Sequence, residues 1–212
     1  MKDLPVFTTP YGVASLTLRE IAYQEKAYIK LQATQQPKEL LEECIGFCRA
    51  VGAKKVYASG HAYLENYPLH TAIMQMQCLK ESIPDTDAAL WPLQKEHLGE
   101  FLRIYREKIG HVPNGAWLTD GDGEKLARDG GGYFVHRGGA LLGIGIVGGN
   151  ELRFVASVVP GAGADVVCAL ANAVTDDALT LEVATANKKA VALYEKLGFV
   201  PVKEISSWYC VL

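Results

Sequence analysis

Three observations predict an α+β fold, a largely antiparallel sheet flanked by helices. Short runs alternate between apolar and polar residues, most clearly over Leu69 to Leu79 (LHTAIMQMQCL). Two long stretches, from Pro37 and from Lys95, carry apolar residues at helical spacing instead. The second half of the chain then reads β-α-β-β-β-α-β-α-β-β, with one β-α-β step inside an otherwise antiparallel order.

The N-terminal third supplies the first elements. Val13 to Arg19 and Ala27 to Gln32 alternate or run apolar, as strands do. After Pro37, the residues Leu40, Leu41, Cys44, Ile45, Phe47, Cys48 and Val51 make one apolar helix face. Gly52 suits the position just past the helix end, and Lys54-Lys55 lead into a strand at Val56 to Ala58. This N-terminal β-β-α-β order resembles a partial repeat of the second half of the chain. Residues 80–88, KESIPDTDA, are polar around a proline, which predicts a linker between region 1–80, of unknown role, and region 88–212.

Beyond that linker, Leu90 to Leu93 reads as a strand. Lys95 to Ile109 reads as a helix with Leu98, Phe101, Leu102, Tyr105 and Ile109 on one side. Residues 110–132, rich in Gly and Asp, read as loops around a short helix near Glu124 to Arg128. Tyr133 to His136 and Leu141 to Val147 form a hairpin across Arg137-Gly138-Gly139, and Leu152 to Val159 is a third strand. Gly161-Ala162-Gly163 precedes an apolar helix, Val166 to Val174. A strand follows at Leu179 to Val183, then a helix at Lys188 to Leu197. Two strands close the pattern, Val200 to Glu204 and Ser207 to Leu212.

Composition narrows the function. The 212 residues are 49% hydrophobic and 21% charged, which suits a packed core and excludes a disordered chain. A net charge of −3 without a basic cluster argues against nucleic acid and against a membrane surface. The start, MKDLPVFTTPYG, lacks the apolar run of a leader, and no run approaches the roughly 18 apolar residues of a membrane span. The expectation is a soluble cytoplasmic protein. Cys44, Cys48, Cys78, Cys168 and Cys210 are odd in number and scattered, which fits reduced thiols better than a disulfide framework. His61, His70, His97, His111 and His136 show no metal spacing, so no metal is expected.

The chemistry-bearing segment is LEVATANKKAVALYEKLGF, residues 181–199. Asn187 stands at a strand-to-helix switch, where its amide can cap the helix. Tyr194 lies about two turns further along the same face, and Gly198 ends the helix before Phe199. Leu181, Val183, Asn187, Ala190, Leu193, Tyr194, Leu197, Gly198 and Phe199 together resemble the closing motif of the GNAT-type N-acetyltransferase family. Residues 89–109 and 133–160 resemble that family's first strand and helix and its central meander. The resemblance covers about residues 88–212 and implies a GNAT-like acyl-CoA N-acyltransferase fold.

By this resemblance the co-substrate is acetyl-CoA. Asn187 and Ala190 border the pantetheine arm, and Tyr194 protonates the departing thiolate. A phenol suits that step because it stays protonated near neutral pH. The resemblance also places the pyrophosphate at VVPGAGADV, residues 158–166, where backbone N–H groups meet a helix start. There Val158 and Pro160 match the family, and the Val159 N–H would polarise the thioester carbonyl. Gly161 and Gly163 supply the turn. The family's Gln or Arg falls on Gly163, and its two glycines on Ala164 and Val166. Those side chains are expected to narrow the approach. With no Lys or Arg in the loop, Asp165 is expected to bring negative charge.

Glu151, just before a meander strand, is the best-placed general base by sequence. Asp120 and Asp122 lie in the region that by resemblance borders the acceptor. Cys168, two residues past Val166, reads as a buried helix thiol and not a nucleophile. The resulting reading is acetyl transfer from acetyl-CoA to a primary amine, on a small molecule or a peptide. The alternative is a degenerate, non-catalytic GNAT-like module that holds acyl-CoA or a partner. An edge strand offers a route to a homodimer in either case.

Overall fold

The computed structural model describes residues 5–212; the first four, part of the stretch read above for a leader, lie outside the described residues. Its elements are β1 (Val6–Thr9), β2 (Gly12–Thr17), α1 (Ile21–Gln24), β3 (Lys26–Thr34), α2 (Pro37–Ala50), β4 (Lys55–Ser59), β5 (Leu69–Leu79) and β6 (Ala89–Pro92). There follow α3 (Leu98–Ile109), α4 (Asp120–Asp129), β7 (Gly132–Arg137), β8 (Ala140–Gly148), β9 (Glu151–Ser157), α5 (Gly163–Ala171), β10 (Ala178–Ala184), α6 (Lys188–Lys196) and β11 (Val200–Cys210). The fold is α+β: β3 pairs with β4 and β9 with β10 in parallel, whereas β1–β2, β2–β3, β4–β11, β6–β7, β7–β8 and β8–β9 are antiparallel.

The chain divides into two units, one running to Ile73 and taking in Glu204–Leu212, the other being Met74–Lys203. The division falls inside β5 and β11, not in the expected linker at 80–88. That linker belongs to the second unit: the Lys80 N–H donates to the Asp177 carbonyl at 2.8 Å, and the Lys80 ammonium donates to the Val174 carbonyl. A strand that passes between units keeps its alternation, so nothing in the sequence marks the crossing.

In the first unit the strands run β1-β2-β3-β4, with the end of β11 on β4 through Tyr209↔Ala58 and Cys210↔Tyr57. Helix α2 packs on one face of this sheet. Pro37 opens it with a preset backbone angle, and Leu40, Leu41, Cys44 and Cys48 meet Ala14, Leu16, Ile29, Val56 and Ala58 in a core. Burial pushes the Cys44 thiol up to about 12 and the Cys48 thiol up to about 11. The strand β1 and the short α1 leave no clear periodicity in the sequence because each is only four residues long.

The second unit orders its strands β6-β7-β8-β9-β10, with the later part of β5 beside β10. Alternation sends Val135 to one face, against α5 and α6, and Phe134 to the other, against α3. On the α3 face Phe101, Ile104, Tyr105 and Ile109 form the core with Ile144 and Ala156. Helix α4 runs longer than expected. Its capping box, Thr119 with Asp122, offsets the weak helix propensity of Gly121 and Gly123. Gly123 is also needed for packing, since a Cβ there would come within 2.9 Å of Leu98 and Leu102 on α3.

Two glycines of β8 seat α5. A Cβ at Gly145 would collide with the Leu170 methyls, and one at Gly143 would lie 2.7 Å from Val166 Cγ2. We expect Gly145→Ala to cost about 1–3 kcal/mol of stability through overpacking, read as a lower urea midpoint; an unchanged midpoint would show that α5 has slack over the sheet.

The two α2 thiols give a second test. Their folded pKa values lie above the ordinary 9.0. The neutral thiols therefore contribute stability that is fully present below about pH 9 and is lost as pH rises through about 11 to 12. Urea denaturation at pH 8 and pH 11 is expected to show wild type losing more stability over that interval than a Cys44→Ala/Cys48→Ala variant. Equal losses would remove the thiols as the cause.

Candidate active site

Strand β9 is held to β8 along its length, from Gly148↔Glu151 to Gly143↔Ser157. On its other side it meets β10 at a single register position, Thr180↔Glu151. The Thr180 N–H donates to the Asn150 carbonyl at 2.9 Å there, and beyond that point the two parallel strands part. The open end of the split lies at Val158–Val159 on one side and Thr185–Asn187 on the other. The Val158 N–H still donates to the Leu142 carbonyl at 2.8 Å. Val159, the next residue, is exposed.

The chain turns from this open end into α5. Gly161 takes φ +86°, a left-handed conformation that glycine adopts without strain, and has no neighbour where a Cβ would stand. The helix begins at Gly163, one turn earlier than the sequence pattern places it. The first α5 bond across four residues runs from the Val166 N–H to the Ala162 carbonyl at 3.0 Å. The N–H groups of Gly163, Ala164 and Asp165 precede it and have no partner within the helix. Ala162, at the cap position, supplies no side-chain acceptor.

Two sequence expectations change here. Val166 does not narrow the approach to the loop: it is fully buried, with its side chain over Gly143. The glycine that permits this close packing sits on the strand instead of in the helix. Nor does the negative charge of Asp165 stand unopposed. Arg137, at the end of β7, donates from Nη2 to Asp165 Oδ1 at 2.7 Å, and the Thr86 hydroxyl donates to the same oxygen at 3.4 Å.

Helix α6 flanks the split from the side of α5. The two helices approach closely at Gly163, where a Cβ would lie 3.0 Å from Leu193 Cδ2. Asn187 caps α6, its Oδ1 accepting from the Ala190 N–H at 3.3 Å. Tyr194 packs edge-on against Phe199, with ring centroids 5.7 Å apart. It belongs to the same apolar cluster as Val155 of β9, Val183 of β10, Ala164 of α5 and Ala190. Burial pushes its phenol up to about 12, so the hydroxyl keeps its proton throughout the neutral range.

The fold thus gathers Val158, Val159, Gly161, Gly163, Ala164, Asp165, Asn187 and Ala190 around one end of the β9–β10 split, with Tyr194 on the helix beside it. Glu151 is not among them. It sits at the paired end of β9, about 23 Å of extended strand from Val158, and its carboxylate accepts from Arg153 Nε at 3.2 Å. Asp122 serves the α4 capping box, and Asp120 pairs with Arg106 at 2.6 Å. Cys168 is buried in α5, where burial raises its thiol. Arg137 carries no local signal in the sequence because it lies on the opposite hairpin. Only the strand order brings that hairpin to the loop.

The chain matches no protein-family model and no curated protein. Its likeness is structural. A conserved protein of unknown function from Staphylococcus epidermidis superposes with a TM-score of 0.62 at 10% identity, over 99% of this chain and 94% of that one. An acetyltransferase of the GNAT family from Colwellia psychrerythraea does so with a TM-score of 0.54 at 13% identity, over 97% and 84%. A tandem GNAT protein from the clavulanic acid biosynthesis pathway gives 0.54 at 13%, over 93% and 78%. The fold is therefore the GNAT-like acyl-CoA N-acyltransferase fold, in a chain long enough to match a tandem member.

The α6 cap can be weighed directly. Asn187→Ala is expected to lower stability by about 1 kcal/mol, the usual loss on removing such a cap, measured as a shift in the urea midpoint. No shift would mean that the bond to the Ala190 N–H contributes nothing.

Proposed function

We propose that this protein is an N-acetyltransferase that moves an acetyl group from acetyl-CoA to a primary amine of a small molecule or peptide, at the β9–β10 split. The observation that carries the reading is the parting of β9 and β10 after one register pair, beside an α5 start that lacks a side-chain cap. The donor set fits the group. A diphosphate accepts from backbone N–H groups at a helix start, and the open space at Gly161 leaves it room. An extended amide-bearing arm fits between strands that have parted.

Acetyl-CoA, when bound, supplies an acyl carbon already activated as a thioester. The chain's own residues do the rest. The Val159 N–H donates to the carbonyl oxygen as negative charge builds there. Asn187 borders the pantetheine arm at the start of α6. Tyr194 delivers its proton to the departing sulfur as the amine nitrogen forms its bond to carbon and the C–S bond breaks. A phenol held protonated by burial suits that role. The incoming ammonium gives up two protons: one passes to solvent water before the nitrogen attacks, and the other leaves the nitrogen as the amide forms and, through water, restores the Tyr194 phenol.

The first unit supports a single site. Its equivalent parallel pair, β3 and β4 around α2, is joined from Lys26↔Lys55 through Lys30↔Ser59 without parting.

Isothermal titration with acetyl-CoA and with CoA tests the reading, with micromolar binding expected. No binding at millimolar concentration would overturn it. Given binding and turnover with an amine panel, Tyr194→Phe is expected to lower kcat by about 10²–10⁴-fold with cofactor affinity unchanged. An unaltered kcat would remove Tyr194 as the acid.

A further inference from the structure

The loop Gly161–Val166 contains no cation, yet it carries one borrowed from another hairpin. The Arg137 guanidinium is fixed between two carboxylates. Asp165 in the first turn of α5 accepts from Nη2 at 2.7 Å, and Asp87 Oδ1 lies 2.6 Å from Nε. The two pairs differ in kind. The Asp165 contact is a formed hydrogen bond. The Asp87 contact is a close ion pair whose oxygen stands off the line of the buried Nε–H. The Asp87 side chain is also 75% exposed, against 33% for Asp165. One carboxylate is thus built into the helix start, and the other meets the guanidinium from the edge of solvent, where an anion can compete with it.

We infer that Arg137 is the phosphate-binding cation of this site and that Asp87 occupies its Nε side in exchange with the phosphate oxygens of the acyl donor. The inference rests on the acetyl-CoA reading above. Asp165 holds the guanidinium beside the free N–H groups of Gly163 and Ala164, so a phosphate meets backbone donors and a fixed cation together. Arginine suits this task because its donors lie in one rigid plane, and two can face a carboxylate while the remaining edge faces an anion. Displacing Asp87 also corrects the local charge. With Asp87 in place, Arg137 is outnumbered by two carboxylates; without it, the pair with Asp165 is neutral and the helix start governs.

The experiment is titration of CoA, dephospho-CoA and pantetheine into wild type and into Arg137→Gln and Asp87→Asn variants, with urea denaturation as the folding control. Arg137→Gln is expected to weaken CoA binding by about tenfold or more, the loss of one charge-assisted hydrogen bond, and to leave pantetheine binding unchanged. Dephospho-CoA assigns the contact: an equal loss places Arg137 on the pyrophosphate, and a smaller one places it on the 3′-phosphate. Asp87→Asn is expected to tighten CoA binding several-fold and to decide the matter should Arg137→Gln fail to fold. Wild type that binds CoA, with Arg137→Gln binding it equally well or Asp87→Asn binding it no more tightly, would overturn this inference and leave the acetyl-CoA reading standing. Wild type that binds no CoA would overturn both.

Discussion

The seating of α5 on β8 governs the second unit. Gly143 and Gly145 remove the two Cβ atoms that would hold the helix off the sheet, and Val166 and Leu170 take up the space. A helix set this close delivers its first turn directly at the end of β9. It also makes the next strand a matter of reach. Residues 172–177 must bring the chain back to start β10 beside Asn150, and they do so with one backbone pairing at Thr180. From there β10 departs from β9. The N–H groups of Gly163, Ala164 and Asp165 at the α5 start, which have no partner within the helix, then lie beside the open end.

The first unit shows what happens when the same order of elements lacks this constraint. Strand, helix and parallel strand recur as β3, α2 and β4, but the strands stay paired through five register positions. Helix α2 is longer than α5, fourteen residues against nine, and opens on Pro37, which has no N–H to present. The split is therefore absent from this β-α-β step, and its helix start presents one N–H fewer. Duplicated topology does not entail duplicated strand separation, because the parting depends on how the intervening helix is seated.

These differences explain why some elements are legible in the sequence and others are not. The strand over Leu69–Leu79 is legible to the residue, since alternation over eleven positions has no competing reading. The α6 segment is legible because its cap, its face and its terminating glycine all lie within one local stretch. The α4 helix reads too short, for Gly121 and Gly123 argue against helix locally while the Thr119–Asp122 box and the packing on α3 argue for it. The single strand β11 reads as two, broken over Ile205 and Ser206, and strand pairing overrides so brief a signal. The unit boundary is misplaced in the sequence pattern because a proline and a run of polar residues mark a loop, whereas a strand shared between units leaves no compositional trace.

The candidate site follows the same rule, most clearly in its electrostatics. Along the sequence, Asp165 is an isolated acid in a loop that should attract anions. In the fold it is the fixed half of an ion pair whose other half comes from twenty-eight residues earlier. The antiparallel β7–β8–β9 meander makes that meeting possible, since the end of β7 and the end of β9 both lie beside the start of β8, at the same end of the sheet. An acid at the third helical position also interacts favourably with the helix start itself. Asp165 is thus stabilised twice, by the helix and by Arg137, and the arginine is in turn immobilised next to the free backbone donors. A residue that reads as damage to an anion site becomes, in three dimensions, the means of holding a cation there.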